Sequence, residues 1–297
     1  MVQQFLPSFM SFERHYLTKR GGFSKTMKYS LPCRRDVLWG LAGSLCALKL
    51  ARAQSGIELK PDLADVFREA RTEGTFAAFV KDRMVMTDES RARIGFIPAS
   101  TFKIPHALIA LETGVVADVD KEVIRWDGVP NTIEEWNRDH TLRSAMQYSV
   151  VPVFQQIANR IGSERMKKFV DDFDYGNRDI GGAPLDKFWL EGNLRITALE
   201  QVRFLRRFLS EDLPVSKRNL DLVKDIIPEE KAEGIDIHAK TGTQFKDGKP
   251  FLGWLVGWAE RGDETSVFAM NIDIHSAAHL AQRWAMSRAI LKRIWAS

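Results

Sequence analysis

"IPASTFKIPHALIALETG", residues 97–114, sets Ser100 three residues ahead of Lys103 where an apolar helical pattern begins. On a helix, positions i and i+3 share a face, so the lysine amine can lie beside the serine hydroxyl. Serine is a weak nucleophile until a neighbouring base takes its proton. An amine of pKa about 10.4 is charged at neutral pH, but burial disfavours the charged form and lowers that value by several units in the strongest cases. Phe102, Ile104 and the later valines offer such an apolar setting. The plain alternative is a helix start, with Ser100 as cap and Lys103 in water. S-x-x-K arises by chance roughly once in a chain of this size, so the pair takes its meaning from the rest of the sequence.

Two further stretches bear on it. Lys240, Thr241 and Gly242 end the strand-like "IDIHAKTG" and are followed by Thr243. A strand there can set backbone N–H groups and a fixed ammonium beside an anionic substrate; alternatively, it is a turn with a solvated lysine. "SVV", Ser149 to Val151, precedes Pro152, and its hydroxyl either relays a proton or is an ordinary buried serine in a helix. S-x-x-K, S-D-N and K-T-G together mark serine penicillin-recognising enzymes. All three elements occur here in that order, the middle one without its Asn.

The remaining pattern predicts an α+β domain. Residues 75–80 and 84–87 flank the polar Lys81-Asp82-Arg83 as a hairpin would. Residues 143–161 read as helix, broken near Pro152 and stopped at Gly162. Thr197 and Glu200 form a capping-box pattern ahead of "VRFLRRFL". Strand patterns return in "IDIHAKTG", "FLGWLVGWAE" and "SVFAMNIDI". A last helix, about 278–295, sets Leu280, Trp284, Ile290, Leu291 and Ile294 roughly on one face. Strands at both ends with helices between imply an antiparallel sheet, flanked by helices, with a mostly helical insertion.

Charge gives nucleic acid little support as a partner. The net charge of +4 hides an uneven distribution: residues 1–53 hold nine of the 43 basic and two of the 39 acidic residues, leaving 34 against 37 from Gln54 onward. That leader reads as an export signal, with Arg34-Arg35, an apolar run from Val37 to Leu48, and Ala51-Arg52-Ala53 as an A-x-A cleavage site. The run is too short for a lasting membrane helix, so no membrane association is expected after processing. Paired arginines hint at twin-arginine export, Cys33 and Lys49 depart from that pattern, and Met27 is an alternative start. The domain reading is a cleaved extension and signal, 1–53, and one catalytic domain, 54–297. Both cysteines, Cys33 and Cys46, fall in the leader, so the mature chain has no disulfide and no thiol nucleophile.

With these motifs assembled, the chain resembles the class D serine β-lactamases, the oxacillinase group. "STFK" (100–103), "SVV" (149–151), "YGN" (175–177), Trp189 in "FWLEGNL" and "KTG" (240–242) follow the family's order, and no E-x-x-L-N stretch of the class A type is present. The resemblance spans about residues 74 to 291 and implies the serine β-lactamase/transpeptidase-like fold. It further implies that Ser100 attacks the β-lactam carbonyl and that Lys103, carbamylated by CO2, is the base for both half-reactions. Trp189 would hydrogen-bond the carbamate and Ser149 would protonate the leaving nitrogen. The backbone N–H groups of Ser100 and Thr243 would form the oxyanion hole. Lys240, Thr241 and Arg283 would hold the substrate carboxylate, beside Gly242, and Val151 and Leu190 would keep the carbamate pocket dry. Tyr175, Gly176 and Asn177 would be scaffold. No metal or organic cofactor is implied; the partners are β-lactam small molecules met in the periplasm, and the motifs carry no signal for oligomeric state. A cell-wall transpeptidase or a β-lactam sensor domain shares these motifs and is the alternative.

Three other features read plainly. His275 and His279, at i and i+4, lack the Glu of H-E-x-x-H and a third ligand, which argues against a metal. Trp254 and Trp258 read as core, and Arg206-Arg207-Phe208 as a solvated helix face.

Overall fold

Lys81 and Asp82 take left-handed backbone angles, φ 47° and 64°, the conformation of a two-residue hairpin turn. They join Gly74–Val80 to Arg83–Met86 with Val80 paired to Arg83, which is the hairpin the sequence predicts. The computed structural model describes residues 56–296, within one unit, Ala53–Ser297. The expected leader and cleavage site, with both cysteines, lie outside the described residues.

In chain order the elements are β1 (Ile57–Leu59), α1 (Asp65–Glu69), β2 (Gly74–Val80), β3 (Arg83–Met86), α2 (Glu89–Ala92), α3 (Lys103–Glu112) and α4 (Leu142–Gln147). There follow α5 (Val151–Ile161), α6 (Ser163–Asp172), α7 (Phe188–Glu191), α8 (Ala198–Leu209) and α9 (Lys217–Ile226). The chain closes with β4 (Glu229–Ala232), β5 (Ile235–Lys246), β6 (Lys249–Arg261), β7 (Glu264–Asp273) and α10 (Ala277–Trp295). Among the described residues the strands form one seven-stranded sheet, ordered β1-β3-β2-β7-β6-β5-β4. It is antiparallel except at one edge, where the unforeseen β1 lies parallel to β3. The segment 60–73, with α1, carries the chain past the β3 position to β2, and the hairpin then returns β3 between them, running in the direction of β1.

Both faces of the central strands are covered, which is why they read as near-continuous apolar runs. On β7, Val267 and Ala269 face the helical insertion, while Phe268, Met270 and Ile272 face Ile290, Leu291 and Ile294 of α10. Trp254 and Trp258, four apart on β6, both point into the insertion side and are buried, as expected of core residues.

Local differences from the sequence reading have local causes. The 143–161 helix breaks at Tyr148–Val150, and Pro152 sits in the first turn of α5, where its missing N–H is harmless. Gly162 stops that helix at φ 84°. The Thr197–Glu200 capping box forms, and a second, Thr141–Ser144, opens α4. On α10, Leu280 and Trp284 are only half-buried; His279, Arg283 and Ser287 occupy the buried face instead, because Arg283 reaches main-chain carbonyls of β5 and β6. Arg206-Arg207-Phe208 is a solvated face only in part: Arg206 is exposed and Arg207 half-buried. Phe208 is buried, the Arg206 guanidinium lies 3.3 Å over the Phe79 ring, and Arg207 donates to Phe173 O at 2.8 Å, since long basic side chains cover apolar surface with their stems.

Candidate active site

The chain enters the site through Ala99, at a left-handed φ of 49°, and winds a 3₁₀ turn, Ala99–Phe102, that runs directly into α3. This continuity carries Lys103 beneath Ser100: its Nζ lies 2.8 Å from Ser100 Oγ, and its side chain is fully buried. Burial, then the nearby charge of Lys240, holds the Lys103 amine well below the ordinary lysine range. Phe154 covers it from one side, with the amine 5.2 Å from the ring centroid. An amine shifted toward its neutral form and in contact with a hydroxyl is an arrangement that can activate a serine.

The turn is pinned from behind. Thr101 Oγ1 donates to Pro98 O at 2.7 Å and accepts from Gln201 Nε2, on α8, at 2.9 Å. Tyr175, buried beside Gln201, stacks edge-on against Phe102 at 5.4 Å. Gly176 (φ 56°) passes so close to Arg195 O that a Cβ would lie 2.1 Å from it, and Asn177 Oδ1 accepts from Arg195 N at 2.9 Å. "YGN" thus ties the loop before α7 to the segment after it.

From the other side comes β5. A Cβ on Gly242 would lie 2.9 Å from Pro98 O and 3.0 Å from Thr101 Cγ2, so only glycine lets the strand approach the serine turn this closely. Buried Lys240 donates to Ser149 Oγ at 2.9 Å and to Thr241 O at 3.1 Å. Ser149 sits in the α4–α5 break at φ 54°. Burial, then the charge of Arg283, pulls the Lys240 amine down to about 7. Arg283 donates Nη1 to Gly242 O and Trp254 O at 2.9 and 3.1 Å, and burial lowers it to about 10.

A cleft of about 570 Å3 opens above these groups. Ser100, Ser149, Val151, Leu190, Thr241, Gly242 and Thr243 all line it, whereas Lys103, Trp189, Lys240 and Arg283 lie behind its wall. Trp189 is fully buried, stacked on Phe102 at 5.9 Å, and its indole N–H makes no hydrogen bond. The cleft rim adds Trp136, Tyr148 and Phe245, which the sequence reading did not single out. It also missed Gln201 and His106, the latter fully buried one turn past Lys103. In both cases the available signal was a polar residue on the apolar face of a helix.

His275 and His279 have different partners. His279 Nδ1 accepts from His275 N and its Nε2 lies 3.1 Å from Ala70 O. His275 instead groups with Glu73 and Asp273, and Asp273 is already paired bidentately with Arg91.

The family model for the penicillin-binding protein transpeptidase domain matches residues 70–294. β-Lactamase OXA-5 of Pseudomonas aeruginosa is 43% identical over 231 residues, 75% of this chain and 86% of that protein. β-Lactamase OXA-48 of Klebsiella pneumoniae is 43% identical over 76% of this chain and 85% of its own length. The crystal structure of the class D β-lactamase YbXI from Nostoc superposes with a TM-score of 0.74 at 37% identity, covering 78% of this chain and 98% of that one. The order of the motifs, the sheet with its helical insertion and these relatives agree: the chain belongs to the class D serine β-lactamases, within the penicillin-binding transpeptidase-domain family.

Proposed function

We propose that the chain hydrolyses β-lactams through an acyl-enzyme on Ser100, with Lys103 as the base, and so protects its host cell from these antibiotics. The observation that carries the reading is the 2.8 Å contact between the buried Lys103 amine and Ser100 Oγ. Ser100 Oγ attacks the lactam carbonyl as its proton passes to Lys103; the C–N bond then breaks and the lactam nitrogen takes a proton. Ser149, tethered to Lys240 at 2.9 Å, is placed to deliver that proton. The backbone N–H groups of Ser100 and Thr243 receive the developing oxyanion. Thr241 and Thr243 line the cleft where the substrate carboxylate docks; Arg283 adds positive potential from behind the wall, and Lys240, held at about 7, adds to it when protonated.

The surroundings of Lys103 fit a CO2-derived carbamate. Trp189 offers a buried indole N–H without a partner, a donor-only group suited to an anionic oxygen. Only a neutral amine combines with CO2, and burial shifts Lys103 toward that form. When bound, the carbamate supplies the general base for acylation and deacylation. Trp189 would hold it, and Val151 and Leu190 would limit the access of water. Turnover of a chromogenic cephalosporin should therefore fall in mildly acidic, CO2-depleted buffer and recover on adding bicarbonate at fixed pH. A rate indifferent to bicarbonate would point to a plain-amine base, as in a transpeptidase.

The export reading rests on the leader. Cleavage after Ala53 and periplasmic residence are expected for the mature 54–297 domain, and no helix among the described residues is long and apolar enough to cross a membrane. N-terminal sequencing of periplasmic material should begin close to Gln54; mature protein retaining Cys33 or Cys46 would refute the assignment.

A further inference from the structure

His106 lies on the buried face of α3, three residues past Lys103, with no exposed surface. Neither of its ring nitrogens has a hydrogen-bond partner. Its ring is enclosed by Phe102, Phe154 and Trp189, at centroid distances of 5.6, 5.2 and 5.1 Å. Phe154 is also the ring beneath the Lys103 amine, and the neighbouring Trp189 indole N–H is likewise unpaired. An apolar core tolerates such groups poorly, because each buried donor without an acceptor keeps its full desolvation penalty. A leucine or phenylalanine at 106 would fill the same space without it. Two unpaired buried donors around one lysine amine therefore point to a common acceptor.

We propose that His106 is a positioning residue for carbamylated Lys103, its neutral imidazole adding a second N–H donor to that of Trp189 on the side of the carbamate. The inference rests on the reading of Lys103 as the carbamylated base. In forming that group the amine nitrogen bonds to the carbon of CO2 and releases one proton to solvent, so a negative charge arises in a closed pocket. A neutral imidazole suits this change. It presents a donor to the product, yet puts no permanent charge beside Lys103; burial and the lysine together hold its pKa down to about 3. Removing the donor should weaken carbamylation while relieving the core of an unpaired polar group.

The test is 13C NMR of the purified protein titrated with 13C-bicarbonate, alongside urea unfolding in CO2-depleted buffer. His106→Leu should unfold at the same or a higher urea concentration, yet require about tenfold more bicarbonate for half-maximal carbamate signal, the effect of one hydrogen bond to a charged group. His106→Phe provides the same reading if the leucine variant folds poorly. His106→Asn, which keeps an N–H donor, should return to within about threefold of the wild type. Unchanged half-saturation in the leucine or phenylalanine variant, or an asparagine variant as weak as leucine, would overturn the role of His106. Absence of any carbamate signal in the wild type would instead remove the reading of Lys103 on which it depends.

Discussion

Burial shifts the amines of Lys103 and Lys240 toward their neutral forms, and this links folding to pH. Lys240 is held at about 7 in the folded protein against about 10.4 in an unfolded chain. Between those values the unfolded chain binds a proton that the folded protein does not, so stability rises with pH in that window and levels off below about 7. Lys103 shifts in the same direction. Urea unfolding in CO2-depleted buffer should show stability climbing between about pH 7.5 and 9.5, each such lysine contributing up to about 1.4 kcal/mol per pH unit. Lys240→Met should flatten that slope by about one proton; an unaltered slope would show that Lys240 is charged in the fold. Ser100 and Lys103 were legible in the sequence because their spacing recurs with "KTG" in a fixed order. The partners that tune them were not: Gln201 reaches Thr101 across a sequence separation of 100 residues, and His106 looks like any polar residue in an apolar helix.

Secondary elements were readable where local chemistry alone decides them. The Thr197–Glu200 box and Gly162 mark helix ends through bonds and angles confined to a few residues. Side-chain direction on α10 was less readable, since Arg283 is buried by carbonyls that other elements supply. The approach of β5 to the serine turn belongs to the same class of long-range fact, and it makes Gly242 sensitive. In Gly242→Ala the new methyl group meets Pro98 O and Thr101; the backbone oxygen has no rotamer with which to yield. The strand must retreat from Ser100, at a cost of about 1–3 kcal/mol in stability. Displacement on the order of 1 Å should lower kcat/KM by about 100-fold. Steady-state kinetics and a urea midpoint check both; near-wild-type kcat/KM would mean that the turn tolerates the methyl.

For the whole molecule, the helical insertion between β3 and β4 carries Ser149 and Trp189 back onto a sheet whose β5 presents Lys240 to Thr243, with Ser100 at the junction. Periodicity indicated the sheet and the insertion, but not the parallel edge strand β1 or the depth at which each side chain sits. That depth is what divides the site into a cleft wall with Ser100 in it and a buried layer with Lys103 behind it. On the proposed mechanism Ser100 takes the acyl group and Lys103 helps to clear it, and intact-protein mass spectrometry after mixing with benzylpenicillin follows both steps at once. Wild-type protein should gain one penicillin adduct and lose it as substrate is exhausted. Ser100→Ala should never gain it, and Lys103→Ala should gain it slowly and keep it. An adduct on Ser100→Ala, or a Lys103→Ala protein that sheds its adduct at the wild-type rate, would contradict the assignment.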